Sequence, residues 1–150
     1  MRLPLRSRRE RPAGQALVEF AVAIIPFLVL MMGVFDLGRA IFTMNGTSEA
    51  AREIARVTSV HLYDSCCDLG SSTETSGVIA TQRGLVPLMQ LTPSTDIVCV
   101  DVSDTIIPDD ACRSGDYVRV HVRASFTPVT PIVSGFGSHT FEAYSRIRIP

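Results

Sequence analysis

Residues 14–35 read GQALVEFAVAIIPFLVLMMGVF, and this stretch decides the architecture. From Phe20 to Phe35 sixteen residues pass without a charge, and from Ala16 to Phe35 the only charge is Glu19. A bilayer core of ~30 Å takes about 20 mostly apolar residues in a helix. The run 16–35 meets that length and predicts a transmembrane helix. Before it, residues 1–14 carry Arg2, Arg6, Arg8, Arg9 and Arg11 against a single acid, Glu10. Asp36 follows on the far side. The positive-inside rule then puts the N-terminus in the cytoplasm and the rest of the chain outside. A cleaved secretory signal fits poorly: the apolar run is too long, and Asp36-Leu37-Gly38-Arg39 offers no small-residue cleavage site. A twin-arginine signal fits no better, because Glu10, Arg11 and Pro12 follow Ser7-Arg8-Arg9 where apolar residues belong.

The whole chain has 150 residues, enough for one small domain and a membrane anchor. It is 46% hydrophobic and 19% charged, which excludes global disorder. A net charge of −1 gives no support for a nucleic-acid partner. All fourteen basic residues are Arg, a compositional bias rather than a chemical signal. Beyond the basic head, nine Arg stand against fourteen acids.

Glu19 is the anomaly in the anchor. A carboxylate in a membrane segment costs about 2.5–3.5 kcal/mol at the centre and less near an end. One reading leaves Glu19 at the headgroup level. The other gives it a partner. Gly14 joins the basic head to the apolar run, and Glu19 is the fifth residue after it. Cleavage after Gly14 would expose the α-amino group of Gln15, and a Glu on one subunit can pair with that cation on a neighbour and set the helix register.

Gly14 to Arg56, GQALVEFAVAIIPFLVLMMGVFDLGRAIFTMNGTSEAAREIAR, resembles the TadE-like proteins, minor pilins or pseudopilins of Flp/Tad (type IVb) pilus systems. The matching points are GQALVEFA with its prepilin-like Gly14 and Glu19, Pro26 in the apolar run, Asp36-Leu37-Gly38-Arg39, and Glu49-Ala50-Ala51-Arg52-Glu53. The later residues match in pattern only, at Gly115-Asp116-Tyr117-Val118 and Phe126-Thr127-Pro128. The resemblance implies a type IV pilin-like chain cut between Gly14 and Gln15 by a prepilin peptidase. It implies other pilins and Tad assembly-platform membrane proteins as partners, and a pilus used in adhesion or secretion. It also allows methylation of the new amine, although an N-terminal Gln can cyclise instead.

Helical spacing continues outside the membrane. Asp36/Arg39, Glu49/Arg52 and Glu53/Arg56 share faces three apart, which reads first as a solvated helix surface. Ala50, Ile54, Val57 and His61 form an apolar stripe. A single helix over 15–62 would be about 72 Å long at ~1.5 Å per residue. Pro26 can kink it, and Asn45-Gly46-Thr47 is a soft point where it can bend. Residues 1–14 are then a cleaved leader, 15–62 the long helix, and 63–150 an extracytoplasmic head.

The head reads as α+β. Residues 63–77 form a polar loop by composition, and 78–91 a short helix ending near Val86. In 95–102, Val98, Val100 and Val102 fall on one face and Cys99 and Asp101 on the other. In 117–126, Val118, Val120, Val122, Ala124 and Phe126 alternate with Arg119, His121, Arg123 and Ser125. In 139–149, Phe141, Ala143, Ile147 and Ile149 alternate with Glu142, Tyr144, Arg146 and Arg148. One-sided strands call for an antiparallel sheet covered on one face, here by the outer half of the long helix. Thr127-Pro128-Val129-Thr130-Pro131 must connect strands or lie at an edge.

Cys66, Cys67, Cys99 and Cys112 all follow the membrane run, in an oxidising compartment. Bridging adjacent cysteines is awkward, so Cys66 and Cys67 are each expected to pair with Cys99 or Cys112, in an order that stays open. Zinc is disfavoured by the absence of CxxC spacing. His61, His121 and His139 are scattered, and no nucleophile elbow, metalloprotease motif or phosphate loop is present. No enzymatic role and no cofactor are therefore expected. The competing reading is an uncleaved single-pass membrane module that binds or senses.

Overall fold

The computed structural model describes residues 13–62, 68–130, 135 and 137–150. Helix α1 runs from Ala13–Val60, 48 residues, with Pro26 inside it. At ~1.5 Å per residue it is about 72 Å long. It is long and apolar enough to cross a membrane, and its most apolar window is wholly unburied by the rest of the chain. Neither Pro26 nor Asn45-Gly46-Thr47 interrupts the helix. Gly46 has a packing role instead: a Cβ there would lie 3.1 Å from Cγ2 of Val86. Two segments can approach this closely only where one lacks a side chain.

Helix α2 spans Thr73–Leu85, so it starts inside the segment expected to be loop. Ser72 is its N-cap, accepting from the Thr75 N–H at 3.2 Å. The cap explains why a polar stretch turns helical. Thr75 also meets Thr58 of α1 at 3.3 Å, hydroxyl to hydroxyl, in a buried contact.

Five strands form one antiparallel sheet: β1 Met89–Gln90, β2 Ile97–Val100, β3 Ile106–Ile107, β4 Tyr117–Phe126 and β5 His139–Arg148. A four-residue helix, α3 Pro93–Asp96, leads into β2. Strand β4 is central. One edge pairs with β5 along its full length, from Tyr117↔Arg148 to Phe126↔His139. The other edge pairs with β2 at its start and β1 at its end. The alternation in β4 is fully expressed: Val118, Val120, Val122, Ala124 and Phe126 are buried. They pack, as expected, on the outer half of α1, where Ala50, Ala51, Ile54 and Ala55 are buried. Small alanines let the helix lie close to the sheet. His61 falls outside this stripe, exposed beyond the end of α1.

Strand β2 is turned over relative to expectation. Ile97 pairs with Val120 and Cys99 with Val118, so Ile97 and Cys99 join the core, while Val98 sits opposite Arg119. Val100 is buried on the other face, and Val102 lies beyond the strand, exposed. With Val98 and Val100 on one face and Ile97 and Cys99 on the other, alternation alone could not choose the face; register with β4 did. The expected disulfide pairing is also corrected. Cys99 bonds to Cys112, with Cα atoms 6.0 Å apart, and neither is left for Cys66 or Cys67. The β2–β3 hairpin and the 3₁₀ turn Asp109–Ala111 bring the chain back beside β2, which makes this short link possible. Cys66 and Cys67 lie outside the described residues.

Candidate functional site

The residues singled out by sequence separate along α1 into three places. At the first, Gly14 sits in the opening turn, and a Cβ there would meet nothing within 4 Å among the described residues. The packing of the described residues does not need glycine at this position. Gln15 follows, and its Nε2 donates to Glu19 Oε1 at 3.0 Å, one helical turn on. Glu19 is exposed, with its carboxylate on the outside of the helix. Residues 1–12 of the expected leader lie outside the described residues. Pro26 removes one N–H donor in the middle of the span, at an exposed position. Gly38, like Gly14, has open space around it.

The second place is the joint between helix and head, and it was misread as solvated surface. Asp36 is only 6% exposed. Its carboxylate accepts from the backbone N–H of Val129 at 2.9 and 3.1 Å and of Thr130 at 2.7 Å. These amides belong to the segment leaving β4, 93 and 94 residues away in sequence. Arg39 adds an ion pair at 3.2 Å and lays its guanidinium over the Phe126 ring, 5.5 Å from the centroid. These donors hold the Asp36 carboxyl down, from 3.8 to about 2. The Thr130 side chain contributes most, then the Thr130 and Val129 amides; burial opposes them and Arg39 assists. The Thr130 hydroxyl faces the carboxylate without closing a hydrogen bond of good geometry among the described residues, so its effect is that of a nearby dipole and the two amides are the bonds that hold the segment. Charge-assisted bonds of this kind are the strong ones, and a carboxylate can satisfy several donors at once. The site clamps the end of β4 to α1 where the uncharged run ends.

The third place is the outer part of α1. Glu49 and Arg52 are exposed and form no ion pair with each other. Glu53 and Arg56 do pair, at 2.6 Å, which lowers the Glu53 carboxyl and raises the Arg56 guanidinium through their hydrogen bonds. This pair fits the solvated-face reading. Exposed pairs contribute about 0–1 kcal/mol.

Sequence reasoning missed a polar cluster on the open face of the sheet. Asp96 is buried, accepts from Thr92 N–H at 2.7 Å, and pairs with Arg123 at 3.0 Å. His121 lies 3.7 Å from Asp96 and 3.4 Å from Glu142, with its ring stacked on Tyr144 at 4.2 Å. Thr92-Pro93-Ser94-Thr95-Asp96 carried a signal for part of this: a Thr-Pro helix start followed by an acid that reaches back. Arg146 stacks on Tyr117 at 3.9 Å and donates to the carbonyls of Asp101 and Val102. These contacts brace hairpin and sheet. Among the described residues no group of His, Cys, Asp and Glu is placed to hold a metal ion.

With this geometry in view, the comparisons bear on one part of the chain. A family model of TadE-like proteins matches residues 14–56, which runs from the glycine of α1 to the Glu53/Arg56 pair and stops before the head. No curated protein and no solved structure matches the chain.

Proposed function

We propose that this chain, TadE-like over residues 14–56, works as a minor pilin or pseudopilin of a Flp/Tad-type pilus. Its role is structural: a subunit of the fibre or a factor in its assembly, serving adhesion or secretion. It is not an enzyme and uses no cofactor. The observation that carries this reading is the coincidence of the family match with α1. The matched segment begins at a glycine that the packing of the described residues does not require, carries Glu19 one turn beyond Gln15, and ends on the helix that supports the head. A glycine without a packing reason suits an external reader, and a prepilin peptidase that must approach bare backbone is such a reader.

In this reading the leader stays in the cytoplasm and 16–35 cross the cytoplasmic membrane. The head stands outside, where the Cys99–Cys112 disulfide belongs. The partners are the lipid bilayer, the prepilin peptidase, other pilins and the Tad assembly platform. The decisive measurement is the N-terminal residue of the protein purified from membranes of its own cells. Gln15, free or cyclised, is expected, and Gly14→Leu should leave a chain fourteen residues longer that is still membrane-bound. An intact wild-type chain beginning at Met1 favours the uncleaved anchor instead.

A further inference from the structure

We propose that the lower rim of the head, formed by Leu88 and Val129 around the Asp36 clamp, is seated in the headgroup layer of the outer leaflet. The proposal rests on the reading of α1 as a membrane span. Exposed large apolar side chains on α1 do not stop at Phe35: Leu37, Ile41, Phe42 and Met44 continue the series. With residues 16–35 filling a ~30 Å hydrocarbon core, Met44 lies about 13 Å beyond Phe35 at ~1.5 Å per residue. A bilayer of ~40–45 Å in all leaves roughly 5–7 Å of headgroups on each side, which that length covers. The apolar surface of the helix therefore continues through the outer interfacial layer.

The head reaches down into the same layer. Two amides of the segment leaving β4 bond Asp36, which fixes Val129 at the height of the first residue after the uncharged run. Val129 is 63% exposed and Leu88 66% exposed. Leu88 lines a small cleft with Arg39, Phe42, Phe126 and Thr127, so it sits one to two helical turns above Asp36. Leu88 also holds φ at 54°, a left-handed backbone that a leucine adopts at a cost. That backbone holds the leucine side chain out at the rim, where moving it from water into an apolar or interfacial phase is favourable.

The charges at this level suit a headgroup layer. Asp36 is satisfied by donors of its own chain, so it presents no bare carboxylate to lipid. The Arg39 side chain is over half exposed although its guanidinium pairs with Asp36 and lies over Phe126, which leaves N–H donors for lipid phosphates. The opposite end of β4 offers an internal contrast. Val102 is 75% exposed beside the Tyr117 end, about 30 Å along the strand from Phe126 at ~3.3 Å per residue.

The test uses the full chain in vesicles of phosphatidylethanolamine and phosphatidylglycerol. An environment-sensitive fluorescent amino acid is placed by codon reassignment at Leu28, Val129 or Val102, leaving the cysteines untouched. Quenching is compared between a nitroxide on the upper acyl chain of the lipid and iodide in permeabilised vesicles. The lipid nitroxide should quench Val129 several-fold more strongly than Val102, and iodide should do the reverse. If Leu28 is quenched from lipid but Val129 behaves like Val102, the rim is in water and the proposal is wrong while the span stands. If Leu28 itself is quenched by iodide and not by lipid, the spanning helix fails and the proposal with it.

Discussion

Gly46 and Gly77 provide a matched pair of perturbations. Both lie inside helices, α1 and α2, and both should gain up to about 1 kcal/mol from replacement by alanine through helix propensity alone. They differ in what the new methyl meets. At Gly77 nothing lies within 4 Å, so Gly77→Ala should realise the propensity gain, about 0.5–1 kcal/mol. At Gly46 the methyl arrives 3.1 Å from Cγ2 of Val86, itself buried and β-branched. Optimal carbon contacts lie near ~3.5–4.0 Å, so Val86 must retreat by a few tenths of an ångström against a packed surrounding. Overpacking of this kind costs about 1–3 kcal/mol, enough to cancel the propensity gain or reverse it. Gly46→Ala should therefore be neutral to destabilising by about 1–2 kcal/mol, and Gly46→Leu should cost at least about 3 kcal/mol. Val86→Ala alone should destabilise by opening a cavity, yet combined with Gly46→Ala it should show a favourable coupling of about 0.5–1.5 kcal/mol, since one methyl fills the space of another. The assay is thermal unfolding in detergent followed by tyrosine fluorescence, with Tyr117 and Tyr144 as reporters in the sheet. About 1 kcal/mol moves the midpoint by roughly 4–8 °C in a domain of this size. Equal stabilisation by Gly46→Ala and Gly77→Ala, without coupling to Val86, would refute the close approach of α1 and the 86–88 turn.

Cys112→Ala should destabilise the head by about 3 kcal/mol, the loop-entropy value for a link of sequence separation 13, and reductant should do the same to the wild type. Peptide mapping of unreduced protein should join the Cys99 and Cys112 peptides; a Cys99 link to Cys66 or Cys67 would contradict the structure. The Asp36 carboxyl is depressed from 3.8 to about 2, so its contribution is complete above pH ~4 and lost as pH falls through about 2. The stability gap between wild type and Asp36→Asn should thus stay constant from pH 7 to pH 5 and close only below about pH 4; closure between 7 and 5 would point to another group. Glu19→Gln can still accept from Gln15, so membrane insertion and cleavage should persist while crosslinking to other pilins and pilus number fall. Normal piliation in that variant, with loss on substitution of Arg52, would move the register element to the outer helix.

What the sequence determined by itself is whatever depends on near neighbours along the chain. The apolar run and length of α1 and the alternation of β4 and β5 follow from local periodicity, and the structure has a helix over Ala13–Val60 and strands over Tyr117–Phe126 and His139–Arg148, close to where that periodicity puts them. Tertiary structure decided the rest. Asp36 looked like one half of an exposed i,i+3 pair, because the amides that bury it come from 93 and 94 residues downstream and backbone donors carry no sequence signature. Gly46 looked like a hinge and is a contact, since only the position of Val86 gives its missing side chain a purpose. Strand β2 carried apolar residues at successive positions, so its inward face was set by pairing with β4 and not by its own pattern. The partner of Cys99 followed from that choice: once its side chain joined the core, the β2–β3 hairpin and the Asp109–Ala111 turn brought Cys112 to it. Periodicity is a property of a segment, whereas burial of a charge, clearance for a methyl and the pairing of a thiol are properties of what lies across from it.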